Sequence, residues 1–220
     1  MIEIRWDWIA GNLDDVAEKT WQHLQLLVIP MLAGFAIAFA LAVLALRRPR
    51  TIGPVTAVTG LLYTIPSLAA FAVLIPITGL SLMTAIIPLT TYTLLILYVN
   101  TVAGLRSVPA EVNEAADAMG YTAGSRLWHV QLPLAVPLIM AGVRVAAVTT
   151  IGLVTVAAII GGNRFGGLGQ FITEGLQTDF NTKIYLGAIG SVILAFVVDG
   201  VLVGVQRLLT PWSRARGREG

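Results

Sequence analysis

Cysteine is absent from this chain, so disulfide scaffolds, thiolate metal sites and cysteine nucleophiles are excluded at the outset. Histidine is nearly absent too. His23 and His129 lie far apart, neither at a metal-ligand spacing, and no H-E-x-x-H pattern occurs. The sequence also lacks a G-x-x-x-x-G-K-[ST] phosphate loop, so any ATP would be bound by another chain. Charge is scarce: Asp, Glu, Lys and Arg make up 12% of the residues and the net charge is +2, too little for a nucleic-acid-binding surface. Without a coherent acid–base, nucleophile or metal constellation, the chain is not expected to be an enzyme or to bind a metal or cofactor directly.

What is plentiful is apolar surface. Hydrophobic residues reach 56% and the mean hydropathy is +0.82, the composition of an all-α polytopic membrane protein. A hydrocarbon core about 30 Å thick needs about 20 helical residues to cross it. On that ruler five transmembrane helices are expected, at residues 24–46, 53–76, 80–103, 134–161 and 183–208, forming one membrane domain over 24–208. Pro30, Pro66, Pro88 and Pro137 fall inside these spans. Each removes a backbone donor, so each is expected to bend its helix.

Residues 1–23 are polar and include Glu3, Asp7, Asp14, Asp15 and Glu18, which argues against a cleavable leader. Leu13, Val16, Ala17, Trp21 and Leu24 fall near helical spacing, and Trp6, Trp8 and Trp21 suit a membrane–water boundary. The segment reads as an extracytoplasmic interfacial helix or as a frayed lead-in to the first span.

Orientation follows from the basic residues. Arg47, Arg48, Arg50, Arg106, Arg126, Arg207, Arg214, Arg216 and Arg218 fall in one alternate set of connections, and only Arg5, Lys19, Arg164 and Lys183 in the other. The positive-inside rule then puts the N-terminus outside, and residues 104–133 and the tail 209–220 in the cytoplasm.

Residues 104–133 break the apolar pattern with Glu111, Glu114-Ala115-Ala116, Gly120 and Val130-Gln131-Leu132-Pro133. Two short helices are expected. Ser107 is placed to cap the first, with Pro109 in its first turn, and Glu111 and Glu114 lie favourably in the helix dipole. The alanines keep one surface thin, Gly120 supplies a permissive backbone at the helix end, Thr122 caps the second helix, and Pro133 is expected to end it.

The spacing E-A-A-x3-G-x9-hydrophobic-x-L-P resembles the EAA loop of the membrane subunits of binding-protein-dependent ABC importers. The resemblance spans about residues 24–208 and implies the type I importer permease fold in a bacterial-type plasma (inner) membrane. It implies that Glu111, Glu114, Ala115, Ala116, Gly120, Leu132 and Pro133 dock in a cleft of a separate ATPase, with Glu114 as charged anchor. ATP and magnesium then sit on that partner. The other implied partners are an extracytoplasmic solute-binding protein and a second permease subunit, identical or related. Thr64-Ile65-Pro66-Ser67 and Ala141-Gly142-Val143-Arg144 resemble the osmoprotectant branch, which carries glycine betaine, carnitine or choline. Methionine-type permeases share five spans and the loop. A membrane scaffold or channel with no ATPase is the rival from another class.

The glycine cluster Gly161, Gly162, Gly166, Gly167 and Gly169 lacks the strand–glycine–helix context of a nucleotide site, so a tight external turn followed by a short helix at 168–177 is expected. Asn163, Arg164 and Phe165 either touch the binding protein or form an ordinary surface loop.

Arg144 and Asp199 fall inside the fourth and fifth spans, at similar depth, roughly 15 Å from the cytoplasmic ends. Such groups need a partner in hydrocarbon, so the two are expected to pair, as structural or gating residues ahead of direct solute ligands. Gly187, Ser191, Ala195 and Asp199 form a small-residue face for close helix packing. Tyr63, Thr64, Pro66, Ser67, Tyr92, Tyr98, Asn100, Thr149, Thr150 and Thr155 are candidate pathway-lining residues. The tyrosines suit a quaternary ammonium through cation–π attraction, or serve as interfacial anchors and packing.

Overall fold

Small residues set the distance between the first helices. In the computed structural model, which describes residues 4–211, α1 (Trp6–Gly11) leads into α2 (Leu13–Arg47). Gly34, Ala38, Ala42 and Ala45 form a buried stripe on α2. They face α5 (Leu82–Arg106), against which α2 packs along its length. A Cβ at Gly34 would stand 1.9 Å from Thr93 Oγ1, so only glycine permits this approach. One apolar cluster joins Leu26 with Ala85 and Leu89; another joins Ala38, Ala42 and Ala45 with Leu97, Val102 and Leu105. The two helices therefore run parallel, and the chain between them must return across the bundle.

That return is made by α3 (Ile52–Thr64) and α4 (Ser67–Thr78), joined by Ile65 and Pro66 and bent by 88°. The expected straight span at 53–76 is thus a broken one. Pro66 disfavours a helical conformation at Ile65, which is extended at φ −62°, ψ 127°. The Ile65 carbonyl, released from the helix, accepts a 2.5 Å hydrogen bond from the Tyr92 hydroxyl of α5. Pro30, Pro88 and Pro137, by contrast, sit inside helices that continue through them.

After α5 come the short helices α6 (Ala110–Ala118) and α7 (Ala123–Arg126), then α8 (Leu132–Gly161), α9 (Gly169–Thr178) and α10 (Asn181–Leu209). α8 packs antiparallel to α5: Gly104 meets Ala135, and Gly142 meets Asn100, whose Cβ would lie 2.4 Å from a Cβ at 142. α10 returns along α8 and α9, with Gly187 against the Leu168 carbonyl and Ser191 buried, as the small-residue face requires.

Among the described residues four helices are long and apolar enough to span a bilayer, or five if the bent pair is one span. The 35-residue α2 extends about 52 Å, longer than a hydrocarbon core. Its first turns, expected as an interfacial helix or a lead-in to the span, are continuous with the span. Residues 212–220, including Arg214, Arg216 and Arg218, lie outside the described residues, as does Glu3.

The glycine cluster forms the expected turn, with Gly162, Gly166 and Gly167 all at positive φ, followed by α9. Phe165, expected at the surface, is instead fully buried beside Leu26, Phe71 and Leu89. Asn163 and Arg164 remain exposed. The Gln22 side chain closes this end of the bundle by accepting from the Gly167 amide at 3.0 Å and donating to the Arg164 carbonyl at 3.1 Å.

Candidate coupling hairpin and intramembrane ion pair

The hairpin between α5 and α8 is held by its own side chains. Asp117 on α6 pairs with Arg126 on α7, and Gln131 Nε2 donates to Asn113 Oδ1 at 2.8 Å. Thr122 caps α7 by accepting from the Ser125 amide at 3.2 Å. Gly120 turns the chain at φ +83°, a conformation that side chains disfavour. Glu111, Glu114 and Ala115 are exposed, whereas Ala116 is buried under the hairpin. Met119 and Trp128 add exposed apolar surface. His129 meets Ser125 and the edge of Tyr121 on the same surface.

Two expectations for this segment are corrected. Ser107 does not cap α6; its hydroxyl donates to the Gly104 carbonyl at 2.8 Å and closes α5, leaving Pro109 before α6. Pro133 does not end the second helix. A five-residue π-helical stretch, Leu127–Gln131, carries α7 directly into α8, with Pro133 in the first turn of α8. Pro133 has no amide to donate within this continuous helix, and the π-helical stretch just before it is where the regular hydrogen-bond ladder is interrupted. Leu132 and Pro133 are half-buried at this junction.

Arg144 and Asp199 meet as anticipated. Nε donates to Oδ1 at 2.7 Å and Nη2 to Oδ2 at 2.8 Å, a two-point pair between α8 and α10. The pair is open: the side chains are 36% and 31% exposed on the protomer.

The lining candidates divide. Tyr63, Thr64 and Pro66 are exposed around the broken span, and Ser67, Asn100, Thr149 and Thr155 are half-buried. Tyr92 is 6% exposed, its ring edge-on to Tyr63 at 5.9 Å, and its hydroxyl holds the break together. Thr150 is buried with its hydroxyl donated to the Ala146 carbonyl, and Tyr98 is fully buried.

Sequence reasoning missed the polar latch at the opposite end of the bundle from the hairpin. Glu174 on α9 accepts from Lys19 at 3.3 Å and from Lys183 at 2.8 Å. Burial pushes its carboxyl up, but the Lys183 hydrogen bond and the two ammonium charges outweigh this and hold it below the ordinary range. Lys19 also donates to Gln170 at 3.0 Å. Lys19 lies more than 150 residues from Gln170 and Glu174, so no local spacing announces its part in the latch.

The family described as "Binding-protein-dependent transport system inner membrane component" matches residues 31–214. The chain belongs to that family. It is 36% identical to the choline transport system permease protein OpuBB of Bacillus subtilis, over 96% of each chain. It is 38% identical to the carnitine transport permease protein OpuCB of Listeria monocytogenes, over 95% of this chain and 94% of that one. The fold matches the MetNI methionine ABC transporter in an inward-facing conformation, with a TM-score of 0.77 at 24% identity over 87% of this chain and 94% of that one. This family member is therefore an inner-membrane permease subunit of an ABC importer, with the type I fold and relatives among osmoprotectant permeases.

Proposed function

We propose that this permease carries a quaternary-ammonium osmoprotectant such as glycine betaine, carnitine or choline, driven by ATP hydrolysis with magnesium on a separate ATPase subunit. The observation that carries the coupling reading is the protruding hairpin. It is braced internally by Asp117–Arg126 and Gln131–Asn113, while Glu111 and Glu114 stay free at its surface. A rigid knob with an uncommitted charge suits force transmission. Because its second helix runs without a stop into α8, motion of the hairpin is motion of a membrane span. The basic residues put this end in the cytoplasm and the latch outside.

A second permease subunit, identical or related, completes the path. One subunit leaves an ion pair and the irregular backbone of the broken span uncovered at membrane depth. Hydrocarbon does not tolerate either, so protein or pathway water covers them. A soluble binding protein delivers solute to the outer face. ATP-driven closure of the engine rocks the spans to the outward-open state, and hydrolysis resets them. The solute assignment rests on the relatives, whose printed names include choline, carnitine and glycine betaine.

Uptake of labelled glycine betaine by cells lacking other betaine importers, and expressing this chain with its ATPase and binding protein, tests the solute class. Uptake competed by carnitine or choline supports it. Uptake of methionine alone moves the chain to the methionine branch. No association with any ATPase favours the scaffold or channel.

A further inference from the structure

Arg144 and Asp199 do not satisfy each other fully. Their two parallel bonds use Nε and Nη2, leaving Nη1 without a protein acceptor among the described residues. The pair forms the polar end of an open pocket of about 450 Å³, whose other walls are Ala141, Val145, Val148 and Thr149. The nearby threonines of α8 bind their own helix: Thr150 donates to the Ala146 carbonyl and Thr155 to the Gly152 carbonyl. Thr149 is the exception, with no hydrogen bond among the described residues, and its side chain borders the pocket. Free guanidinium donors, an accessible carboxylate, an uncommitted hydroxyl and a methyl-lined wall therefore converge at membrane depth.

We infer that this open pair is a transit subsite for a zwitterion carrying a quaternary ammonium and a carboxylate a few bonds apart. The inference rests on the solute class proposed above. The solute carboxylate takes the free Arg144 N–H and the Thr149 hydroxyl, charge-assisted contacts that a neutral lining would not provide. The methylated ammonium lies against Val145 and Val148 with Asp199 as counter-charge. Because each solute charge meets its opposite while the protein pair stays in place, entry leaves no charge unpaired. A simple cation lacks the carboxylate and meets Arg144 unscreened, so the subsite favours glycine betaine over choline.

The test is equilibrium binding of labelled glycine betaine, with choline as competitor, to the permease–ATPase complex in nanodiscs without binding protein. Wild type is expected to bind betaine, and choline to compete weakly. Arg144→Gln/Asp199→Asn and Thr149→Val are each expected to weaken binding by about fivefold or more, consistent with losing one or two charge-assisted bonds. Thr149→Val leaves the ion pair intact, so it reports on the site even where the double variant fails to assemble. The charge-swapped Arg144→Asp/Asp199→Arg is expected to assemble and to resist heat like wild type, yet to bind betaine poorly. No binding to wild type, unchanged binding in Thr149→Val, or full binding in the swapped protein overturns the subsite. Those results leave the importer reading standing, whereas failure of any solute to stimulate ATP hydrolysis in the full system sinks that reading instead.

Discussion

Gly167 shows how much can hang on one missing methyl group. Its φ of +54° already disfavours a side chain, and a Cβ would lie 2.5 Å from His23 Cβ and 2.7 Å from its Cα. His23 is fully buried in α2, so the helix backbone cannot yield. Gly167→Ala is expected to destabilise the protein by about 2 kcal/mol or more, combining backbone strain and overpacking. The midpoint of thermal unfolding in detergent checks this, and an unchanged midpoint would show that the turn rearranges freely. Gly120 is the contrasting case. Its φ is +83° but nothing lies within 4 Å of a Cβ. Gly120→Ala is therefore expected to cost only about 1–2 kcal/mol of local strain, lowering solute-stimulated hydrolysis while leaving assembly with the ATPase intact.

Elements were legible where local chemistry decides them. α9 was expected at 168–177 and lies at Gly169–Thr178, because glycine turns and an apolar face announce it within ten residues. The turn at Gly120 and the cap at Thr122 were readable for the same reason. The broken span was readable only as a bend, since what turns Pro66 from a kink into an 88° break includes an acceptor site for Tyr92, 27 residues beyond Ile65. Pro133 misled in the opposite direction. The sequence offers a proline after a helical pattern, but the π-helical stretch that carries the chain past it has no simple residue signature.

The latch of Glu174 with Lys19 and Lys183 also belongs to the element scale, tying α9 to α2 and α10. A carboxyl held below its unfolded pKa stabilises the fold above that unfolded value, and the contribution fades as pH falls through the folded one. The stability gap between wild type and Glu174→Gln is therefore expected to be present at neutral pH and to close under acid. Melting both proteins across that range checks the sign, and a gap that widens on acidification would contradict it.

For the molecule as a whole, a bundle of four to five candidate spans was countable from hydropathy, and the pairing of Arg144 with Asp199 followed from the expense of isolated charge in hydrocarbon. Where that pair points was not legible. Periodicity places Arg144 on α8, but only the packing of α5 and α2 against the rest of that helix leaves its face open. The same packing buried Thr150 and Tyr98, which composition alone had made candidates for the pathway. Close helix contacts at Gly34, Gly104, Gly142 and Gly187 pack the spans tightly against one another.

The central claim is that this chain couples solute movement to a separate ATPase through the hairpin. The most direct measurement is solute-stimulated ATP hydrolysis after reconstitution with its ATPase and binding protein, comparing wild type with Glu114→Ala/Gly120→Pro. Stimulation by glycine betaine or a related quaternary ammonium in wild type, lost in the variant, is the expected result. Equal stimulation in both proteins, or none in either, would contradict the account.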